Sequence, residues 1–183
     1  MPIETLAVLH ESLPRETSSD KTSSRKTSLQ KITRRKRDIR IEQRVLSTTA
    51  GELDLLVAAS LAEQYDFVQR LQTEWCNGSN RFDKEGEAVF VAVHAASVVG
   101  VCGINQDPYT DDRSIGRLRH LYVGPNYRSE RTGYRLVAAC IEYARHFFSL
   151  LRLRMARVDT AEFYRRSGFA QVDATHASHE MRL

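Results

Sequence analysis

Residues 118–134 constrain the fold more than any other part of this chain. The run Leu118-Arg119-His120-Leu121-Tyr122-Val123 has the apolar character of a strand and is stopped by Gly124-Pro125. A polar turn, Asn126 to Arg131, follows. From Thr132 to about Phe148 the apolar residues Leu136, Val137, Cys140, Ile141, Ala144 and Phe148 recur at helical spacing on one face. A strand that passes through so short a turn into a long amphipathic helix must lay that helix back over its own sheet. It also leaves the first N–H groups of the helix without intrahelical partners, an arrangement suited to gripping phosphate.

The flanking segments extend this plan. Ile39-Arg40-Ile41-Glu42-Gln43-Arg44-Val45 alternates with period two and predicts a half-buried first strand. Thr48 or Thr49 is placed to cap a helical region from Gly51 towards Trp75, read as two helices hinged near Ser60–Tyr65. Val89–Val93 and Val98–Ile104 read as neighbouring strands, and the short link His94-Ala95-Ala96-Ser97 predicts a hairpin. The polar loop Gln106–Ile115 leads into the strand at 117–123. After the long helix come a strand at Leu151–Met155, a short helix at Thr160–Ser167 closed by Gly168, and strands at Phe169–Val172 and Ser178–Leu183. This order predicts an α+β protein with a mixed, mostly antiparallel central sheet flanked by helices.

Charge separates an extension from the body. Residues 1–38 hold nine Lys/Arg against five Asp/Glu, which accounts for the whole formal charge of +4. The stretch also has eleven Ser/Thr and no Phe, Tyr or Trp, so it reads as a basic extension, 1–38, before a globular domain, 39–183. Ile3 to Leu9 and Gln30 to Ile39 are candidates for short helices within it. Because the body is neutral, the basic pI argues for nucleic acid only weakly and only through the cluster Arg34-Arg35-Lys36-Arg37. The longest apolar run, Leu55 to Ala62, falls far short of a membrane span. Cys76, Cys102 and Cys140 follow no paired spacing, and His176 and His179 sit in a segment read as extended, so neither a disulfide framework nor a metal site is expected. Reduced thiols fit a cytoplasmic protein.

Two groups of residues carry candidate chemistry. In the turn, backbone N–H groups from Ser129 to Tyr134 are placed to receive a pyrophosphate, with Arg128 and Arg131 adding charge and Glu130 competing or capping. About thirty residues on, Phe163-Tyr164-Arg165-Arg166-Ser167-Gly168-Phe169 places a tyrosine near the end of a short helix. Taken alone, Tyr164 reads as a core residue. Taken with the turn, its phenol is a suitable proton donor to a leaving thiolate.

In order and spacing these segments resemble the GNAT superfamily of N-acetyltransferases across roughly residues 40–183. Arg128-Ser129-Glu130-Arg131-Thr132-Gly133 corresponds to the family signature Arg/Gln-x-x-Gly-x-Gly/Ala, and Phe163 to Phe169 matches its later apolar-Tyr-x-x-x-Gly-Phe segment. Arg119-His120-Leu121-Tyr122-Val123 resembles the strand before the signature. The chain departs from the pattern at Arg131, where the family has its first signature glycine, and at Ala156-Arg157-Val158-Asp159, which lacks an asparagine common after the fifth strand.

The resemblance implies transfer of acetyl from acetyl-CoA to a primary amine by direct attack in a ternary complex. Acetyl-CoA would lie along Leu121, Tyr122 and Val123, with its pyrophosphate on Arg128, Ser129, Glu130, Arg131, Thr132, Gly133 and Tyr134. Tyr164 would be the general acid. The base is open: His120 is the candidate on the strand, with Glu85, Glu87, Asp111 and Asp112 as alternatives. The acceptor, a small-molecule or peptide amine, is expected between the early helices and the last strands, near Tyr65, Trp75, Tyr109 and residues 173–179. Family members often pair as homodimers through terminal strands. The alternative reading is a catalytically silent module, sensing acyl-CoA or binding a partner, that lost its phosphate turn through Arg131.

Overall fold

A computed structural model describes residues 37–47, 51–155 and 157–183. The helix expected at 3–9, residues 30–36 of the one expected at 30–39, residues 34–36 of the basic cluster and the Thr48/Thr49 cap lie outside the described residues, while 37–39 are not helical and lead directly into a strand. Seven strands form one sheet: β1 (Arg40–Gln43), β2 (Ala88–His94), β3 (Ser97–Gln106), β4 (Ile115–Val123), β5 (Leu150–Leu153), β6 (Ala170–Ala174) and β7 (Ala177–Arg182). Their spatial order is β1-β2-β3-β4-β5-β7-β6, and every neighbouring pair is antiparallel except β4–β5. Four α-helices pack with the sheet among the described residues: α1 (Asp54–Ala62), α2 (Phe67–Asn77), α3 (Thr132–Ala144) and α4 (Ala161–Arg166).

The sheet separates two apolar cores. Along β2, Ala88, Phe90 and Ala92 enter the core shared with Leu136, Val137 and Cys140 of α3. The alternate residues Val89, Val91 and Val93 enter the core shared with Leu56 of α1 and Val68, Leu71 and Trp75 of α2. Covering both faces is why β2 reads as an unbroken apolar run rather than an alternating one. The hinge between α1 and α2 falls at 63–66, as the spacing predicts. Helix α3 stops at Ala144, four residues short of the predicted end, because the chain tightens there and the N–H groups of Phe147 and Phe148 both turn back to Ala144 O. Phe148 thereby folds under the sheet, where a Cβ on Gly116 would lie 2.6 Å from its ring.

Two features of β4 shape the site. Its parallel pairing with β5 covers only Ile115–Arg117 against Leu150–Arg152, after which the two strands diverge and the β5-facing edge of β4 has no strand partner among the described residues. On the other edge, the pairs Val101↔Tyr122 and Gly103↔Arg119 show β4 using one residue more than β3 over the same distance. This bulge places His120 in the left-handed region, at φ 57°. Bulges of this kind twist a strand and re-aim its side chains.

Candidate active site

Two cavities open where β4 leaves β5. The first, of about 470 Å³, runs beside Leu121, Tyr122 and Val123 to Arg131, Gly133 and Tyr134 at the start of α3. The second, of about 580 Å³, lies beside His120 and Leu121 and reaches Met155, Tyr109 and His176. Phe67, Leu121 and Tyr164 line both, so the cavities meet at these three residues.

Part of the predicted phosphate turn borders the first cavity: Arg128, Arg131, Gly133 and Tyr134 line it, whereas Ser129, Glu130 and Thr132 do not. Pro125–Glu130 forms a 3-10 turn that passes through Arg131, at φ 58° and ψ 20°, into α3. Glycine reaches that left-handed conformation without steric cost, which gives a physical reason for glycine at this place in the family signature; an arginine holds the same backbone shape at a cost of about 1 kcal/mol. The Thr132 hydroxyl is buried and donates to Tyr127 O at 2.8 Å, closing the turn from inside. Gly133 admits Phe163 of α4, whose ring comes within 3.4 Å of where a Cβ would stand.

Glu130 does not compete for the helix N–H groups. Its carboxylate accepts the Arg37 backbone N–H at 3.0 Å and the Arg37 guanidinium at 3.3 Å. Arg128 meets Glu63, at the end of α1, through two bonds of 2.9 and 2.5 Å and donates to Val123 O at 2.9 Å. Tyr122 donates its hydroxyl to the same carboxylate at 2.7 Å. Hydrogen bonding from Arg128 holds the Glu63 carboxyl below its usual range, and burial pushes the Tyr122 phenol up. Arg128 therefore borders the cavity already partnered, although the sequence offered it as a free phosphate ligand.

Tyr164 owes its position to the end of α4. The N–H of Phe169 donates to Tyr164 O at 3.0 Å and that of Gly168 to Arg165 O at 3.1 Å, the two bonds of a Schellman cap. Gly168, at φ 98°, is the left-handed residue this cap requires. Burial pushes the Tyr164 phenol well above its ordinary value, so it keeps its proton at neutral pH. Among the described residues its hydroxyl has no hydrogen-bond partner, while its ring packs on Phe163, Phe169 and His179.

His120 lies beside this centre but is poorly suited to take a proton. Its Nδ1 pairs with Phe67 O at 2.9 Å, its Nε2 is buried without a partner, and burial with the Arg119 charge lowers its pKa to about 3. The other base candidates lie elsewhere. Glu85 borders a separate crevice with Arg113 and His146, and Glu87 caps the N–H of Gln106 at 3.2 Å. Asp112 binds Ser114, and Asp111 is exposed and lines neither cavity.

Of the expected acceptor residues, Tyr109 and His176 line the second cavity, and their rings stack at 4.2 Å and 8°. Tyr65 borders the first cavity instead, and Trp75 is buried against Phe82. Sequence reasoning did not single out Arg70, Arg117, Arg119 and Arg154, all of which line the second cavity. The available signal was arginine at alternate positions of both diverging strands.

A diverging β4–β5 pair, a phosphate-type turn opening a helix, and a tyrosine set beside the gap converge on one site. The family model for the acetyltransferase (GNAT) domain matches residues 85–171, which span that whole arrangement except the last strand. Over these residues the chain is similar to that domain. The chain is similar to a proposed acetyltransferase from Exiguobacterium sp. 255-15, with 27% identity, 79% of this chain and 93% of that one covered, and a TM-score of 0.70. An acetyltransferase from Streptococcus agalactiae 2603 shares the fold at 18% identity, 79% and 98% coverage, and a TM-score of 0.62. A GNAT-family acetyltransferase from Staphylococcus aureus Mu50 does so at 15% identity, 78% and 96% coverage, and a TM-score of 0.61. No curated protein matches the chain. The family match supports acyl transfer as the general class of activity. Among the described residues there is no cluster of metal-ligating side chains and no helix long and apolar enough to cross a membrane.

Proposed function

We propose that this chain transfers acetyl from acetyl-CoA to a primary amine by direct attack in a ternary complex. The observation that carries this reading is the meeting of two cavities at Tyr164, one bordered by the phosphate-type turn and the other free of it. The division into a basic extension, 1–38, and an acyltransferase domain, 39–183, belongs to the same proposal.

Acetyl-CoA occupies the first cavity. The N–H groups of the 129–134 turn and the positive end of α3 receive its pyrophosphate, and Arg131, exposed at the rim, adds a cation. The unpaired edge of β4 at Leu121–Val123 offers backbone groups to the pantetheine arm and the thioester carbonyl. The acceptor amine, as the free base, attacks that carbonyl from the second cavity. As the tetrahedral centre collapses, the C–N bond is made and the C–S bond breaks. Tyr164 gives its proton to the departing thiolate and is reprotonated from solvent, while the nitrogen proton leaves through water. The fit of Arg131 to a left-handed turn keeps the shape a glycine would give, which weakens the case for a silent module.

The test is release of free thiol from acetyl-CoA by the full chain with a panel of primary amines. Amine-dependent thiol release with formation of the amide supports the reading, and binding of acetyl-CoA without any amine-dependent turnover would replace it by the silent module.

A further inference from the structure

The second cavity has a one-sided charge. Arg70, Arg117, Arg119 and Arg154 line it, and no aspartate or glutamate does. Only one of the four is well neutralised: Arg117 grips buried Asp107 through bonds of 2.9 and 3.3 Å and also donates to His176 O at 2.7 Å. Arg70 lies 3.7 Å from Asp66 in an exposed pair of the kind that contributes little. Arg119 reaches only the neutral side-chain oxygen of Asn105, at 3.4 Å, although its far side borders a crevice with Glu74 and Glu87. Arg154 donates to the backbone oxygen of Thr175 and forms no ion pair among the described residues. Arg70 comes from α2, Arg117 and Arg119 from β4, and Arg154 directly follows β5, so the fold gathers them from distant parts of the sequence.

We propose that the acceptor is a small primary amine carrying a carboxylate or a phosphate. This inference rests on the acetyltransferase reading above and specifies its substrate. The uncompensated guanidinium groups bind the anionic group by charge-assisted hydrogen bonds. They also repel polycations such as polyamines. The same positive field addresses the want of a base. An ammonium held among cations has its pKa lowered, so more of the acceptor stands as the nucleophilic free amine at neutral pH. A carboxylate base is then unnecessary, consistent with a cavity that has none. The stacked Tyr109 and His176 form one wall, with the Arg117 guanidinium 4.7 Å from the Tyr109 ring centre, and a volume of about 580 Å³ admits a small metabolite.

Matched acceptors test this directly. The full chain is assayed for acetyl-CoA thiol release with β-alanine against β-alanine amide, with phosphoethanolamine against ethanolamine, and with spermidine. Binding of both anionic probes is measured by calorimetry in the presence of CoA. One anionic member is expected to exceed its neutral partner at least about tenfold in kcat/KM, the scale of one hydrogen bond to a charged group, and the pair concerned distinguishes carboxylate from phosphate. Arg154→Gln and Arg119→Gln are each expected to raise KM for that probe about tenfold while leaving acetyl-CoA affinity unchanged. Arg154 is exposed, so its variant is not expected to disturb folding. Preference for spermidine or the neutral partners, acetylation of an acidic peptide alone, or failure of both anionic probes to bind or react would overturn the inference while acetyl-CoA still binds. Loss of acetyl-CoA binding itself would instead mark failure of the acetyltransferase reading.

Discussion

Tyr164 and Phe169 are tied at both backbone and side chain: the Phe169 N–H donates to Tyr164 O at 3.0 Å, and their rings meet edge to face at 6.1 Å. A Schellman cap fixes this separation, since it joins the third residue before the cap to the second after it and sets a left-handed residue between. The spacing from Tyr164 through Gly168 to Phe169 is thus the spacing of a helix stop, and the same stop aims the tyrosine at the strand gap.

Removing the phenol isolates its chemical role. Tyr164→Phe keeps the ring packing and the cap but deletes the proton, so kcat is expected to fall by about 10²-fold or more with acetyl-CoA affinity unchanged. Steady-state kinetics paired with calorimetry checks this, and unchanged kcat would remove Tyr164 from proton transfer.

Disturbing the cap should reach the same group indirectly. Gly168→Ala puts a Cβ at φ 98° and 3.1 Å from the Met181 sulfur. A loss of about 1–2 kcal/mol in urea unfolding is expected, with a fall in kcat larger than any change in acetyl-CoA affinity.

Arg131 should show a trade between stability and binding. Arg131→Gly relieves a left-handed arginine and is expected to stabilise the fold by about 1 kcal/mol. It also removes a cation from the rim of the first cavity, so acetyl-CoA binding should weaken severalfold. Tighter binding would mean that the arginine obstructs the ligand.

Burial of His120 carries a pH signature. Its folded pKa is lowered from 6.5 to about 3, so below pH 6.5 the unfolded chain takes up a proton that the folded chain refuses. Stability from this group is complete above that pH and is lost progressively as the pH falls towards 3, by up to about 1.4 kcal/mol per unit. His179, lowered by burial as well, acts with the same sign. Between pH 7 and pH 5 the urea midpoint should fall in the native sequence and fall less in His120→Asn, which tolerates the left-handed backbone; equal slopes would contradict the assignment.

The strand–turn–helix at 118–134 and the stop at Gly168 were legible because turn residues and helical periodicity are local. Local patterns also placed the β2–β3 hairpin and the α1–α2 hinge. The bulge at His120 was not legible, since no glycine marks it and its cause is the register against β3. Nor was the Arg128–Glu63 pair, whose partners lie 65 residues apart. The cationic lining of the second cavity escaped notice for the same reason: Arg70, Arg119 and Arg154 become neighbours only once β4 and β5 diverge.

Whether the first cavity is a working acyl-CoA site is read by titration calorimetry of the full chain with acetyl-CoA, compared with free CoA. One site of micromolar affinity, about −8 kcal/mol, is expected. No heat of binding at millimolar acetyl-CoA would contradict it.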